Sequence, residues 1–175
     1  MIKILEPGLY SSIQDEGRED FQKYGVPFSG CMDSKSSNFA NSLLNNPKNA
    51  AVIEATQFGP KILFNVSTYI SITGGDMNPL INNKKISMNK AVNINKGDVL
   101  KLGHSKNGLR SYIAIKDGIK YIPEGWQTPH PQCFSGLDHL KTDEQFPIKA
   151  YREFYKADKL KFARACLPCR THDMP

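Results

Sequence analysis

Three clusters of polar residues carry chemical potential. In Ser11-Ser12-Ile13-Gln14-Asp15-Glu16-Gly17-Arg18 an amide, carboxylates and a guanidinium gather around a glycine. Arg18 could grip a carboxylate or carbonyl through two parallel N–H donors. Asp15 could orient that arginine or act on a proton; the alternative is a loop held together by an Asp15–Arg18 pair. In Gly25-Val26-Pro27-Phe28-Ser29-Gly30-Cys31-Met32-Asp33, glycines let backbone N–H groups face a ligand just before a helix N-terminus. Such a terminus favours anions, but Asp33 is itself a good N-cap. The alternative is an ordinary loop-to-helix junction. In Thr73-Gly74-Gly75-Asp76 a strand end meets paired glycines and a carboxylate. Asp76 could contact a ligand or could close an Asx-turn.

Other chemistries find little support. Cys166-Leu167-Pro168-Cys169 with His172 offers too few ligands for a tetrahedral zinc site. Cys133 is the nearest further thiol, flanked by His130 and His139. These are read as surface thiols, and no metal is expected. The patterns of a phosphate-binding loop, a hydrolase nucleophile elbow and a zincin helix are missing.

The elements that must position these residues are mostly short strands. Val52–Thr56, Lys61–Phe64, Tyr69–Thr73, Val92–Ile94, Val99–Leu102 and Leu109–Ile115 are apolar, β-branched or alternating, with turn signals such as Gly59-Pro60, Gly74-Gly75 and Lys96-Gly97-Asp98 between them. This spacing argues for a mainly-β barrel or sandwich. Ile53, Leu63, Ile70, Ile72, Val99, Leu102, Tyr112 and Ala114 are the expected core. One helix interrupts the strands over 33–45. It starts at Asp33, carries an apolar stripe of Phe39, Ala40, Leu43 and Leu44, and stops at Asn45-Asn46-Pro47 because proline cannot continue a helix. Beyond residue 119, Pro123, Pro129 and Pro131 fall close together. Tyr151, Phe154, Tyr155 and Phe162 then recur at roughly helical spacing, which suggests a helix between 148 and 165.

The 175 residues are 39% hydrophobic and 23% charged, the balance of a folded domain. The net charge of +6 is spread without a run of like charges, and no nucleic-acid-binding signature accompanies it. No apolar run reaches the ~18 residues that a membrane span needs. A cytoplasmic protein with reduced thiols is expected.

Taken in order, the motifs resemble one family. Gly8-Leu9-Tyr10-Ser11-Ser12-Ile13-Gln14-Asp15-Glu16-Gly17-Arg18 is similar to its opening segment. Tyr24-Gly25-Val26-Pro27-Phe28-Ser29-Gly30-Cys31-Met32-Asp33 is similar to its G-V-P-x-S-G-x-M-D. The helix Asn38 to Asn46, then Glu54-Ala55-Thr56, Gly59-Pro60, Thr73-Gly74-Gly75-Asp76, Gly97 to Gly103 and Gly108 to Ala114 follow in family order. The chain resembles the 5-oxoprolinase C-subunit and the second subunit of allophanate hydrolase, the biotin-dependent carboxyltransferase-like proteins, over residues 1–119. The family's G-S-R-[ST] motif is missing after Gly118-Ile119. Residues 139–148 weakly resemble a later family segment, and 120–175 is expected to be a divergent tail, irregular or partly helical and open to proteolysis. A truncated or frame-disrupted gene would produce such a tail.

The resemblance implies a cyclophilin-like β-barrel over 1–119. It implies a subunit that works beside a subunit-B-like, kinase-inhibitor-like protein and a third, ATP-using subunit. Such a complex opens 5-oxoproline to L-glutamate with ATP hydrolysis, and related domains in urea carboxylase transfer a carboxyl group from biotin on a partner protein to urea. Carried over by motif, Gln14, Asp15, Arg18 and Asp76 are candidate catalytic residues without assigned steps. Ser29 and Asp33 are candidate substrate-binding residues. A regulatory interaction protein and a remnant without activity are the alternatives.

Overall fold

The computed structural model describes residues 1–17, 22, 28–119, 139–146 and 148. Arg18, Cys133, Cys166, Cys169 and His172 lie outside these residues, as do the helix suggested between 148 and 165 and most of the tail expected to be cut by proteases.

Eleven strands and one helix make up the described chain: β1 (Ile2–Glu6), β2 (Tyr10–Gln14), α1 (Ser34–Leu43), β3 (Val52–Thr56), β4 (Lys61–Phe64), β5 (Thr68–Asp76), β6 (Leu80–Ile81), β7 (Lys84–Lys85), β8 (Ala91–Ile94), β9 (Val99–Lys101), β10 (Asn107–Ile115) and β11 (Gln145–Phe146). They form a six-stranded sheet, β11-β1-β4-β9-β6-β7, and a five-stranded sheet, β2-β3-β10-β5-β8, with every pairing antiparallel. The fold is mainly β with one helix, as expected, but the strands do not close into a barrel. Among the described residues no ladder joins the two sheets; beyond the ladders there are isolated bridges, Ser12 to His139, Phe58 to His104 and Ile119 to Ile148.

The core between the sheets is built by alternation. Ile2 and Ile4 of β1, Ile62 and Phe64 of β4, Ile53 of β3, Ile70 and Ile72 of β5, Leu100 of β9, and Ile113 and Ile115 of β10 are buried in one cluster. Each strand contributes every second residue because successive side chains point to opposite faces. Two of the expected core positions fall on the wrong side of this rule. Leu63 and Val99 are half-buried and face each other across the β4–β9 pair, while Ile62, Phe64 and Leu100 point inward. A one-residue shift in phase exchanges the faces of a strand.

The five-stranded sheet is covered on its second face as well. Residues directly opposite in a sheet share a face, so the register sets Ser12, Glu54, Tyr112 and Thr73 in one row across β2, β3, β10 and β5. Helix α1 lies over this face. Ser71 and Thr73 donate through their hydroxyls to the carbonyls of Ala40 (2.6 Å) and Ser36 (2.7 Å). Ala40 and Leu44 pack with Val52, Tyr112 and Ala114. The inward helix face is Ser37, Ala40, Asn41 and Leu44, whereas Phe39 is 47% exposed. The apolar stripe thus runs one step round from Phe39 and Leu43, because small residues let the helix backbone approach the strand hydroxyls.

Candidate functional site

The helix N-terminus opens onto a cleft. Asp33 is the N-cap, its carboxylate accepting from the backbone N–H groups of Lys35 and Ser36, both at 3.1 Å, and from the Ser36 hydroxyl at 2.5 Å. The hydrogen bonds from Ser36 hold its carboxyl below the usual carboxylate range. The Asp33 N–H donates to the Tyr112 hydroxyl at 2.8 Å, which fixes where the helix begins on the sheet.

The second wall is the end of β5. The strand does not stop at Gly74-Gly75, as its sequence suggests, but runs on to Asp76. The ladder to β10 shifts register between Asn107 and Ser111 there. Gly74 has φ +80°, and a Cβ on it would lie 2.6 Å from the Arg110 carbonyl and 3.1 Å from the Tyr112 ring. Only glycine takes that backbone at that distance. The bulge carries Asp76 to the rim, where it accepts the Asn78 N–H at 2.7 Å in an Asx-turn.

The resulting cleft has a volume of ≈ 930 Å³. Asp33, Ser36, Asp76, Lys85, Arg110 and Tyr112 are among its polar lining residues, and Gly74 and Gly75 also line it. It therefore presents two carboxylates and two cations beside hydroxyl groups.

The structure divides the expected site residues into two groups. Asp33 and Asp76 line this cleft. Gln14, Asp15 and Ser29 lie outside its lining, and Arg18 is outside the described residues. Gln14 is buried at the end of β2 and donates to the Ser12 hydroxyl at 2.8 Å. Asp15 is buried too; its carboxylate accepts the Gly17 N–H at 2.8 Å and its carbonyl accepts the Cys31 N–H at 2.9 Å. The loop through Ser29 is pressed on this segment, since a Cβ on Gly17 would lie 2.7 Å from the Ser29 carbonyl. Asp15 and Gly17 thus brace the 28–33 loop that leads to Met32 and Asp33.

Sequence reasoning passed over the residues beneath the cleft. Glu54 is 6% exposed. One of its oxygens meets Arg110 Nε at 3.1 Å and the other accepts the Met32 N–H at 2.9 Å. It also hydrogen-bonds the Tyr112 hydroxyl. Burial, reinforced by the Glu54 charge, pushes the Tyr112 hydroxyl pKa up, so Tyr112 stays neutral. Burial likewise raises the nearby Cys31 thiol to about 12. The available signal was an acidic residue inside the apolar strand Val52–Thr56, and an Arg110–Tyr112 spacing of two on one strand face.

Residues 24–153 match the family model described as carboxyltransferase domain, subdomain A and B. The chain belongs to that family. Urea amidolyase of Lachancea kluyveri is 42% identical over 123 residues, covering 70% of this chain and 7% of that protein. The 5-oxoprolinase C-subunit of Escherichia coli (strain K12) is 28% identical over 166 residues, covering 92% of this chain and 54% of that protein. Among solved structures, Kluyveromyces lactis urea carboxylase shares the fold with a TM-score of 0.76 and 32% identity, covering 86% of this chain and 14% of that one. The chain thus spans about half the length of the 5-oxoprolinase component it matches and a small part of the large amidolyases. For a carboxyltransferase-family chain, the expected resemblance holds. No helix among the described residues is long and apolar enough to cross a membrane.

Proposed function

We propose that this chain serves an ATP-dependent 5-oxoprolinase, receiving a small lactam in the cleft between α1, β5 and β10. The observation that carries this reading is the composition of the cleft. A lactam presents an N–H donor and a C=O acceptor side by side. Asp33 and Asp76 offer acceptors, Arg110 offers donors, and all three line one cavity. The similarity to the 5-oxoprolinase C-subunit over 92% of this chain supports the same reading.

The cleft is a poor match for ATP, because two carboxylates at its rim repel a polyphosphate and no glycine-rich phosphate loop adjoins it. ATP use is therefore assigned to the third subunit, and a subunit-B-like protein is the direct partner. Biotin fits better. Its ureido ring is neutral and amide-like, so Asp76 and Arg110 would hold it as they would hold a lactam. Biotin, borne by a partner protein, would supply an activated carboxyl group. The 42% identity to urea amidolyase favours this second reading, carboxyl transfer to urea.

Co-expression with the subunit-B-like and ATP-using proteins, followed by addition of 5-oxoproline and ATP, should release L-glutamate and ADP together. Urea and a carboxylated biotin carrier form the parallel arm. Carboxylated urea without glutamate would overturn the first reading in favour of the second. Co-purification without either turnover would favour regulation through the partner. No co-purification at all would mark an inactive remnant.

A further inference from the structure

Glu54 is a carboxylate on an interior strand, and it is nearly closed off from water. It meets Arg110 through Nε alone. A guanidinium has five N–H donors in one plane, and among the described residues no acceptor meets the terminal Nη groups. Arg110 lines the cleft, with 29% of its side chain exposed. Its root is fixed by a buried anion and its fork is left without an acceptor. A fork held this way matches a carboxylate bidentately and loses little freedom on binding.

The two carboxylates on the walls are already engaged. Asp33 is taken up by the first turn of α1, and Asp76 by the Asn78 N–H. Both still disfavour a dianion such as phosphate more than a monoanion.

We infer that Glu54 and Arg110 form a carboxylate receptor in the cleft. Arg110 takes the carboxylate through its Nη pair, and Glu54 is the positioning residue that aims it. The ligand class is a small amide or lactam that bears a carboxylate, as 5-oxoproline does and urea does not. The inference rests on reading the cleft as the substrate site.

The test titrates the full chain with 5-oxoproline and with its neutral carboxamide by calorimetry. The wild type should prefer the carboxylate by about tenfold or more, the scale of a charge-assisted hydrogen-bonded pair. Glu54→Gln with Arg110→Gln removes both charges and strands neither; the preference should fall to within about twofold. Arg110→Lys keeps the charge without the fork, is the milder change for folding, and should lower the preference about fivefold. In the assembled complex Glu54→Gln should raise KM for 5-oxoproline more than it lowers kcat, whereas loss of folded enzyme would lower kcat alone. The receptor is refuted if the wild type shows no preference, if the double variant or Arg110→Lys keeps it in full, or if Lys85→Gln abolishes it instead. Preference for the carboxylate without any turnover of 5-oxoproline would leave the receptor standing and remove the 5-oxoprolinase reading.

Discussion

Replacing Asp33 by alanine separates the roles that its position combines. Its carboxylate caps α1 through two backbone N–H groups and the Ser36 hydroxyl. Removing an N-cap acceptor costs about 0.5–2 kcal/mol, with ~1 kcal/mol typical. The side chain is exposed, and water replaces part of the lost bonding, so ~1 kcal/mol is expected here. With a urea m-value of about 1–3 kcal/mol/M, the midpoint should fall by roughly 0.3–1 M. Asparagine caps a helix about as well as aspartate, so Asp33→Asn should lie within about 0.5 kcal/mol of the wild type at pH 7. The pH dependence has a definite sign. The folded-state pKa is depressed, so the charge contributes fully above the unfolded value of about 3.9 and is lost as pH falls through the lower folded value. The gap between wild type and Asp33→Asn should therefore narrow below about pH 4. Urea titrations of the three proteins at pH 7 and at acid pH measure both effects. An Asp33→Ala midpoint equal to wild type, with Tyr112 and Ser36 intact, would refute the capping account and leave Asp33 as a ligand-facing group only.

Other outcomes follow from packing and from the thiol. Phe64→Ala should cost about 3–5 kcal/mol, because Phe64 is fully enclosed in the inter-sheet core, while Leu63→Ala on the same strand should cost clearly less; chemical denaturation of the pair checks the register directly, and equal costs would contradict it. Cys31, with its pKa pushed to about 12 by burial, should stay protonated and label slowly with iodoacetamide at pH 8. Peptide mapping by mass spectrometry reads that rate at Cys31 itself, and labelling as fast as a free cysteine would show that the 28–33 loop opens.

Much of the architecture was legible because strand alternation and turn residues are local signals. Val52–Thr56, Lys61–Phe64 and the helix over 33–45 appear where the sequence puts them. Phase was harder. Leu63 and Val99 look as apolar as their neighbours, and only the pairing of β4 with β9 decides that Ile62 and Leu100 face inward. The glycine pair 74–75 looked like a stop, yet it serves a bulge whose need arises from the close passage of β10, a contact made over a long sequence separation. At the site, Asp33 and Asp76 were visible as polar residues beside turn signals. Glu54, Arg110 and Tyr112 were not. Each is one residue in a strand, and their meeting depends on a register between β3 and β10 that no local pattern encodes.

Strand β10 has apolar residues on one face in the inter-sheet core and Tyr112 and Ala114 on the other beneath the helix. It is thus both a beam of the scaffold and the back wall of the cleft. Drift in sequence at the wall is penalised as instability before it can be tried as new chemistry. The rim, from Lys85 to Asn89 and at Asp76, lies at strand ends and in the connection after β7, where only Ile86 and Met88 lean on the core. Divergence in substrate among chains of this fold should accordingly concentrate at the rim, while Tyr112 and its row stay fixed.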